Sequence, residues 1–244
     1  AAAKVEATAH PRHPMTLPHQ ALDELFDNNR DWAAAAEQRQ PGFFSNLLAQ
    51  QSPQYLWIGC ADSRVPANEL VGLAPGELFV HRNVGNVVAH SDLNCLSVVQ
   101  YAVDSLRVHH IIVVGHSNCG GVRAALHRRR LGLVDNWLRH IQDVRTKHQD
   151  WLETVDPERR VDALCELNVL DQARNVCETT VVQDAWLRAQ PVMVHGWCYG
   201  LHNGLLRNLR MSVAGPDDIA PAYEQALAAV HRRYSEAAGD DDTA

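Results

Sequence analysis

The sequence has no apolar run approaching the roughly 18 to 20 residues that a membrane-spanning helix requires, so no transmembrane segment is expected. Its longest apolar stretch, His110-Ile111-Ile112-Val113-Val114-Gly115, suits a buried strand instead. Basic charge is also short. Lys and Arg number 22 against 29 Asp and Glu, a formal net charge of −7. That balance argues against nucleic acid as a partner, because a phosphate-binding surface is basic. Residues Ala1 to Pro18 lack a basic segment followed by an apolar one, so no secretory signal is expected; Met15 is a candidate start, with residues 1–14 preceding it. No internal repeat, long low-complexity tract or dinucleotide-type glycine fingerprint is present. Together these absences predict a cytoplasmic protein with no membrane and no nucleic-acid partner.

Six cysteines are present: Cys60, Cys95, Cys119, Cys165, Cys177 and Cys198. Their scattered spacing and the missing signal argue against a disulfide framework. Metal binding, catalysis and plain core packing remain open for each. With 244 residues, 46% of them hydrophobic, the chain can bury one sizeable α/β core or two small ones. The expected layout is a leader over 1–18 outside the fold, one domain with its N-terminal helical arm over 19–236, and a disordered acidic tail over 237–244.

Leu22, Leu25, Phe26, Ala33 and Ala36 recur near helical spacing, which predicts an amphipathic arm over Leu22–Gln38 ended by Pro41-Gly42. Four short apolar runs read as buried strands: Tyr55–Gly59, Glu77–His81, His110–Gly115 and Pro191–Trp197. Helical patterns lie at Ser91–Leu106, Gly120–Arg130, Asp135–Trp151, Pro157–Arg188 and Ala220–Tyr234. This alternation predicts an α/β fold, a mostly parallel central sheet flanked by helices. His202-Asn203-Gly204 reads as a turn, which makes Gly204–Arg210 an antiparallel edge strand beside the four parallel ones.

Two segments follow strands: Gly59-Cys60-Ala61-Asp62-Ser63-Arg64 and Gly115-His116-Ser117-Asn118-Cys119-Gly120-Gly121. Ligands of open parallel sheets bind beyond the carboxyl ends of the strands, where strand order switches. Cys60, His116 and Cys119 can meet there. Two thiolates and an imidazole suit zinc, and three protein ligands leave the fourth tetrahedral position open for catalysis. Taken singly, a strand-end Cys or a His-x-x-Cys pair is more often core or chance.

These two segments resemble the paired motifs of the β-class carbonic anhydrases. Gly76-Glu77-Leu78-Phe79-Val80-His81-Arg82-Asn83 and His195-Gly196-Trp197 resemble family segments too, and the likeness spans roughly Leu22 to Arg210. It implies one Zn2+ per chain, a homodimer or homotetramer, and reversible hydration of carbon dioxide to bicarbonate and a proton by zinc-bound hydroxide. Asp62 and Arg64, otherwise readable as a turn salt bridge, become a dyad in which Arg64 holds Asp62 and Asp62 orients the hydroxide. In family members that switch off, the aspartate takes the fourth metal position. Trp57, Gly59, Arg82 and Tyr199 resemble the non-catalytic bicarbonate pocket of some bacterial members; without that likeness Trp57, in an apolar strand, reads as a core aromatic. Gly120 at a helix start offers a substrate-side backbone N–H. Two other functions compete: hydrolysis of another small heterocumulene on the same scaffold, and non-catalytic zinc binding, against which the joint presence of Asp62 and Arg64 argues.

Overall fold

In a computed structural model, which describes residues 19–49 and 51–235, the chain divides into two units after Gln50. The first consists of α1 (His19–Arg39) and α2 (Phe43–Ala49). Pro41-Gly42 turns the chain between them, with Gly42 at φ +80°. Trp32 packs edge-on against Phe43 and Phe44, while Leu22, Leu25 and Phe26 stay exposed. The leader over 1–18 and the tail over 237–244 lie outside the described residues.

The second unit contains one five-stranded sheet. β1 (Tyr55–Cys60), β2 (Leu78–Asn83), β3 (His110–His116) and β4 (Met193–Tyr199) run parallel. β5 (Leu206–Val213) returns antiparallel beside β4, in the spatial order β2-β1-β3-β4-β5. The reversal rests on the expected turn, where Gly204 takes φ +76° and Asn203 Oδ1 accepts from Leu205 N at 3.1 Å. The helices are α3 (Ala67–Leu70), α4 (Leu93–Gln100), α5 (Gly120–Leu126), α6 (Val134–Lys147), α7 (Gln149–Thr154), α8 (Arg160–Cys177), α9 (Thr180–Leu187) and α10 (Ile219–Ser235). Among the described residues no helix is long and apolar enough to cross a membrane.

Side chains alternate faces along a strand. One face carries Leu56, Ile58, Ile111, Val113 and Val194, and α8 lies across it against β3 and β4. α8 buries most of its circumference; each of its fully buried leucines, Leu164, Leu167 and Leu170, contributes about 1.5–3 kcal/mol. Glycines permit the close approach. A Cβ at Gly115 would stand 2.5 Å from Val169 Cγ2, and one at Gly196 would stand 3.1 Å from Val169 Cγ1. Glu166 of α8 is buried and accepts from Arg207 of β5 at 3.2 Å, from Tyr234 OH at 3.2 Å and from Arg233. Burial pushes its carboxyl up, and the guanidiniums oppose that. A buried carboxylate persists because it is paired, and the pairing ties β5 and α10 to α8.

The opposite face carries a smaller cluster of Trp57, Leu78, Ile112 and Val114 with Val65 and Ala67. A cavity of about 180 Å³ sits on it, lined by Tyr55, Trp57, Val71, Leu73, Leu78, Ile112 and Trp197.

Several elements differ from the sequence expectation in extent. β1 and β3 run one residue further, so that Cys60 and His116 are themselves strand residues. β5 begins and ends later, at Leu206 and Val213, because the turn occupies Leu201–Gly204. The stretch Pro157–Arg188 is two helices: Thr179 leaves helical geometry and its hydroxyl accepts from Val182 N, capping α9. Asp135–Trp151 likewise breaks at His148, whose φ of −112° ends α6. After Gln100 the last part of Ser91–Leu106 winds as a π-helical turn over Tyr101–Ser105.

Candidate metal centre

Cys60 ends β1 and His116 ends β3, on neighbouring strands. From β1 the chain goes to β2 on one side and then to β3 on the other, which makes this the switch point of the sheet. Cys119 comes from the turn after β3, where it precedes α5. That turn is fixed locally. Asn118 takes a left-handed φ of +55° and donates its N–H to Asp162 Oδ1 at 2.6 Å. Ser117 N donates to Tyr199 O at 2.9 Å, and Ser117 Oγ accepts from Leu201 N at 2.9 Å.

The ligand atoms of Cys60, His116 and Cys119 all lie within 4.8 Å of one another, and all three residues are buried. Cys60 Sγ and Cys119 Sγ are 3.9 Å apart. Two thiolates on a tetrahedral zinc, with Zn–S near 2.3 Å, stand about 3.8 Å apart, so the pair is spaced for a shared metal and not for a disulfide. His116 Nδ1 lies 2.9 Å from Ser117 O, which assigns its proton to Nδ1 and leaves a lone pair on Nε2. That Nε2 is buried and has no hydrogen-bond partner. An orphaned imidazole nitrogen beside two thiols, with its other nitrogen bonded to a carbonyl, fits a metal ligand.

Electrostatics separate these thiols from the packing cysteines. Cys60 is drawn down, first by its bond with the Cys119 thiol, then by His116 and by the backbone of Gly85 and Asp62, against burial. Cys119 is pushed up by that same bond and by burial. A dication between the two sulfurs would hold both as thiolates. Cys95, Cys165, Cys177 and Cys198 are buried and raised by desolvation, as packing thiols are.

Asp62 and Arg64 form a bidentate pair: Arg64 Nη2 donates to Oδ2 at 2.7 Å and Nε to Oδ1 at 2.9 Å. The Arg64 side chain is the chief reason that the Asp62 carboxyl lies well below the usual carboxylate range. Asp62 Oδ2 also lies 3.7 Å from His116 Nε2, at the mouth of the three donors. Gly120 opens α5, where an added Cβ would meet nothing within 4 Å and no side chain caps the helix.

The remaining predicted residues sit on the Trp57 face or its edge. Trp57 is buried and folds over Gly59, leaving no room for a Cβ there. Arg82 pairs in register with Gly59 and donates to Cys60 O at 2.9 Å and Asp62 O at 2.6 Å, bracing the turn that carries the dyad. Tyr199 is the register partner of His116. Arg82 and Tyr199 lie on strands three spacings apart, roughly 14 Å. The cavity on this face has Trp57 in its wall but neither Arg82 nor Tyr199.

A second donor cluster escaped sequence reading: the fold brings His81 of β2 to Asp92 and Cys95 at the start of α4. Its groups are engaged elsewhere. Asp92 caps α4 by accepting from Asn94 N at 3.1 Å, and His81 Nε2 stands 3.3 Å from Asn83 Nδ2. Burial pushes Cys95 up to about 12.

Fold and donor set thus define an open α/β protein with a thiolate–imidazole site at the switch point of a parallel sheet. Comparison with known proteins names the family. A profile described as carbonic anhydrase matches residues 55–206. The carbonic anhydrase of Emericella nidulans is 48% identical over 197 residues, covering 80% of this chain and 86% of that one. The solved β-carbonic anhydrase of Coccomyxa, in complex with acetazolamide, superposes with a TM-score of 0.79 at 39% identity, over 89% of this chain and 99% of that one. One of two tetrameric β-carbonic anhydrases from Sordaria macrospora gives 0.76 at 35% identity, over 80% and 100%. The chain belongs to the carbonic anhydrase family, in its β class, and is an enzyme of that kind. The family is zinc-dependent.

Proposed function

We propose that this protein hydrates carbon dioxide reversibly at one zinc ion held by Cys60, His116 and Cys119. The observation that carries the reading is the meeting of those three donors at the switch point, with the orphaned His116 Nε2 facing Asp62. When bound there, zinc would supply a nucleophilic oxygen near neutral pH and stabilise charge on the product. The protein's own groups do the rest. Asp62, kept ionised by Arg64, accepts a hydrogen bond from the attacking oxygen and so aims its lone pair at carbon dioxide. Arg64 fixes the carboxylate in one orientation, and Arg82 braces the backbone beneath it. The backbone N–H of Gly120, at the start of α5 where no side chain caps the helix, is the donor offered to a bicarbonate oxygen. Stopped-flow hydration with metal-quantified protein tests this. Wild type should turn over with about one zinc per chain, and Cys119→Ala should lose both metal and activity. A Cys119→Ala protein that keeps both refutes the ligand set.

A second part of the proposal is inhibition by bicarbonate through Arg82, which pairs in register with Gly59 beside Trp57; Tyr199 stands three strand spacings from Arg82 on the same sheet. Support comes from Arg82, whose guanidinium suits a bicarbonate and also holds the Cys60 and Asp62 carbonyls, linking that surface to the dyad. An anion that draws Arg82 away would loosen the turn, letting Asp62 leave Arg64 for the fourth metal position. The working unit is a homodimer or homotetramer in the cytoplasm. The exposed Leu22, Leu25 and Phe26 of α1 favour association, as does the tetrameric Sordaria relative.

A further inference from the structure

The loop from Val84 to Val88 follows β2 and is held by side chains. Trp137 Nε1 donates to Val84 O at 2.7 Å, and Asn83 bonds Val87 N at 2.8 Å and Val87 O at 2.7 Å. From α8, Asn168 Nδ2 donates to Gly85 O at 2.8 Å, Gln172 Oε1 accepts from Val88 N at 2.8 Å, and Asn175 Nδ2 donates to Val88 O at 2.9 Å. The two buried amides are joined, Gln172 Nε2 donating to Asn168 Oδ1 at 3.1 Å. One backbone donor of the loop points elsewhere: Gly85 N–H donates to Cys60 Sγ at 3.5 Å.

The backbone there leaves little freedom. Gly85 sits at φ +78°, and a Cβ on it would stand 2.6 Å from Ile141 Cδ1. The next residue, Asn86, is buried and left-handed at φ +46°. Neighbouring positions of α8, Leu167, Val169 and Leu170, are apolar and fully buried. Leucine at 168 and 172 would serve packing as well, without the desolvation of two amides. What only an amide can do is give Gly85 O a donor and Val88 N an acceptor from inside the core.

We propose that Asn168 is a positioning residue for the metal centre: by gripping Gly85 O it holds the Gly85 N–H on the Cys60 sulfur, and Gln172 fixes the Asn168 amide in the required orientation. The proposal rests on Cys60 being a metal ligand. An N–H donor on a ligating sulfur directs the sulfur and draws charge from it, and outer partners of this kind tune metal affinity by about 10–100-fold.

The test uses the full chain, freed of metal and reloaded with cobalt(II) or zinc. Thiolate-to-cobalt charge transfer in the near ultraviolet reports the sulfur, and chelator competition reports zinc affinity. Asn168→Ala should shift the charge-transfer band and weaken zinc binding about tenfold or more, and Gln172→Leu should do the same to a smaller extent. Leu170→Ala, a truncation of the same helix without a polar role, should lower stability and leave the band in place. Circular dichroism confirms that each variant folds; if Asn168→Ala does not, Gln172→Leu carries the prediction. A folded Asn168→Ala protein, or in its place a folded Gln172→Leu protein, with an unshifted band and unchanged zinc affinity overturns the proposal. So does a Leu170→Ala protein with the same shift. Failure of the ligand assignment reads differently: the band would be missing from wild type, or would keep its full wild-type intensity in Cys60→Ala.

Discussion

Replacing Gly115 by alanine asks whether the close approach of α8 to β3 sets the metal centre. The new methyl would stand 2.5 Å from Val169 Cγ2 and 3.4 Å from Cys165 O. Neither neighbour yields easily: Val169 is β-branched and fully buried, and the Cys165 atom is helix backbone. Overpacking of this kind costs about 1–3 kcal/mol. Relief must come from β3 moving off α8, and the next residue along β3 is His116. Gly115→Ala should therefore lower stability and weaken zinc binding together. Val169→Ala alone removes two buried methyl groups, about 1.6 kcal/mol at ~0.8 kcal/mol each. In the double variant the clash is gone. Its destabilisation should fall short of the sum of the singles by at least about 1 kcal/mol, and zinc affinity should recover. Urea unfolding of all four proteins, with chelator competition for zinc, gives both readouts. Additivity within about 0.5 kcal/mol, or a Gly115→Ala protein with unchanged stability, would refute the packing argument.

Asp62→Asn keeps the shape but loses the negative charge and one of the two acceptor oxygens, so the protein should fold and its hydration rate should fall about 10²-fold; normal stopped-flow kinetics would remove the assigned role. Sedimentation should show a dimer or larger species, with Phe26→Glu shifting it toward a poorly active monomer; a fully active monomer would contradict the oligomer reading. Activity should fall steeply below about pH 8, because protonation weakens whatever competes with Asp62 for the metal, and added bicarbonate should deepen the fall. Trp57→Phe and Tyr199→Phe should relieve that inhibition while sparing high-pH turnover. A shallow single-proton profile indifferent to bicarbonate would return both rings to core packing.

Much of the site was legible because its chemistry sits at strand ends. The apolar runs before Cys60 and His116 could be read as buried strands, and parallel strands deliver their carboxyl ends to one edge. Strand order was not legible: β1 pairs with β2 and with β3 through contacts between segments distant in sequence, and no local pattern encodes which strands will be neighbours. Helix breaks were hidden for a related reason. Thr179 is an ordinary helical residue by periodicity until its hydroxyl caps α9. Asn168 and Gln172 were invisible as working residues, because a polar residue in a helical pattern reads as solvent-facing until the fold buries it. The His81, Asp92 and Cys95 group was missed because β2 and α4 meet only in three dimensions.

X-ray absorption at the zinc edge of the purified protein addresses the centre most directly. The account predicts about one zinc per chain with two sulfur scatterers near 2.3 Å, one imidazole nitrogen near 2.0–2.1 Å, and a light fourth ligand. A shell without sulfur, or active protein that contains no zinc, would contradict it.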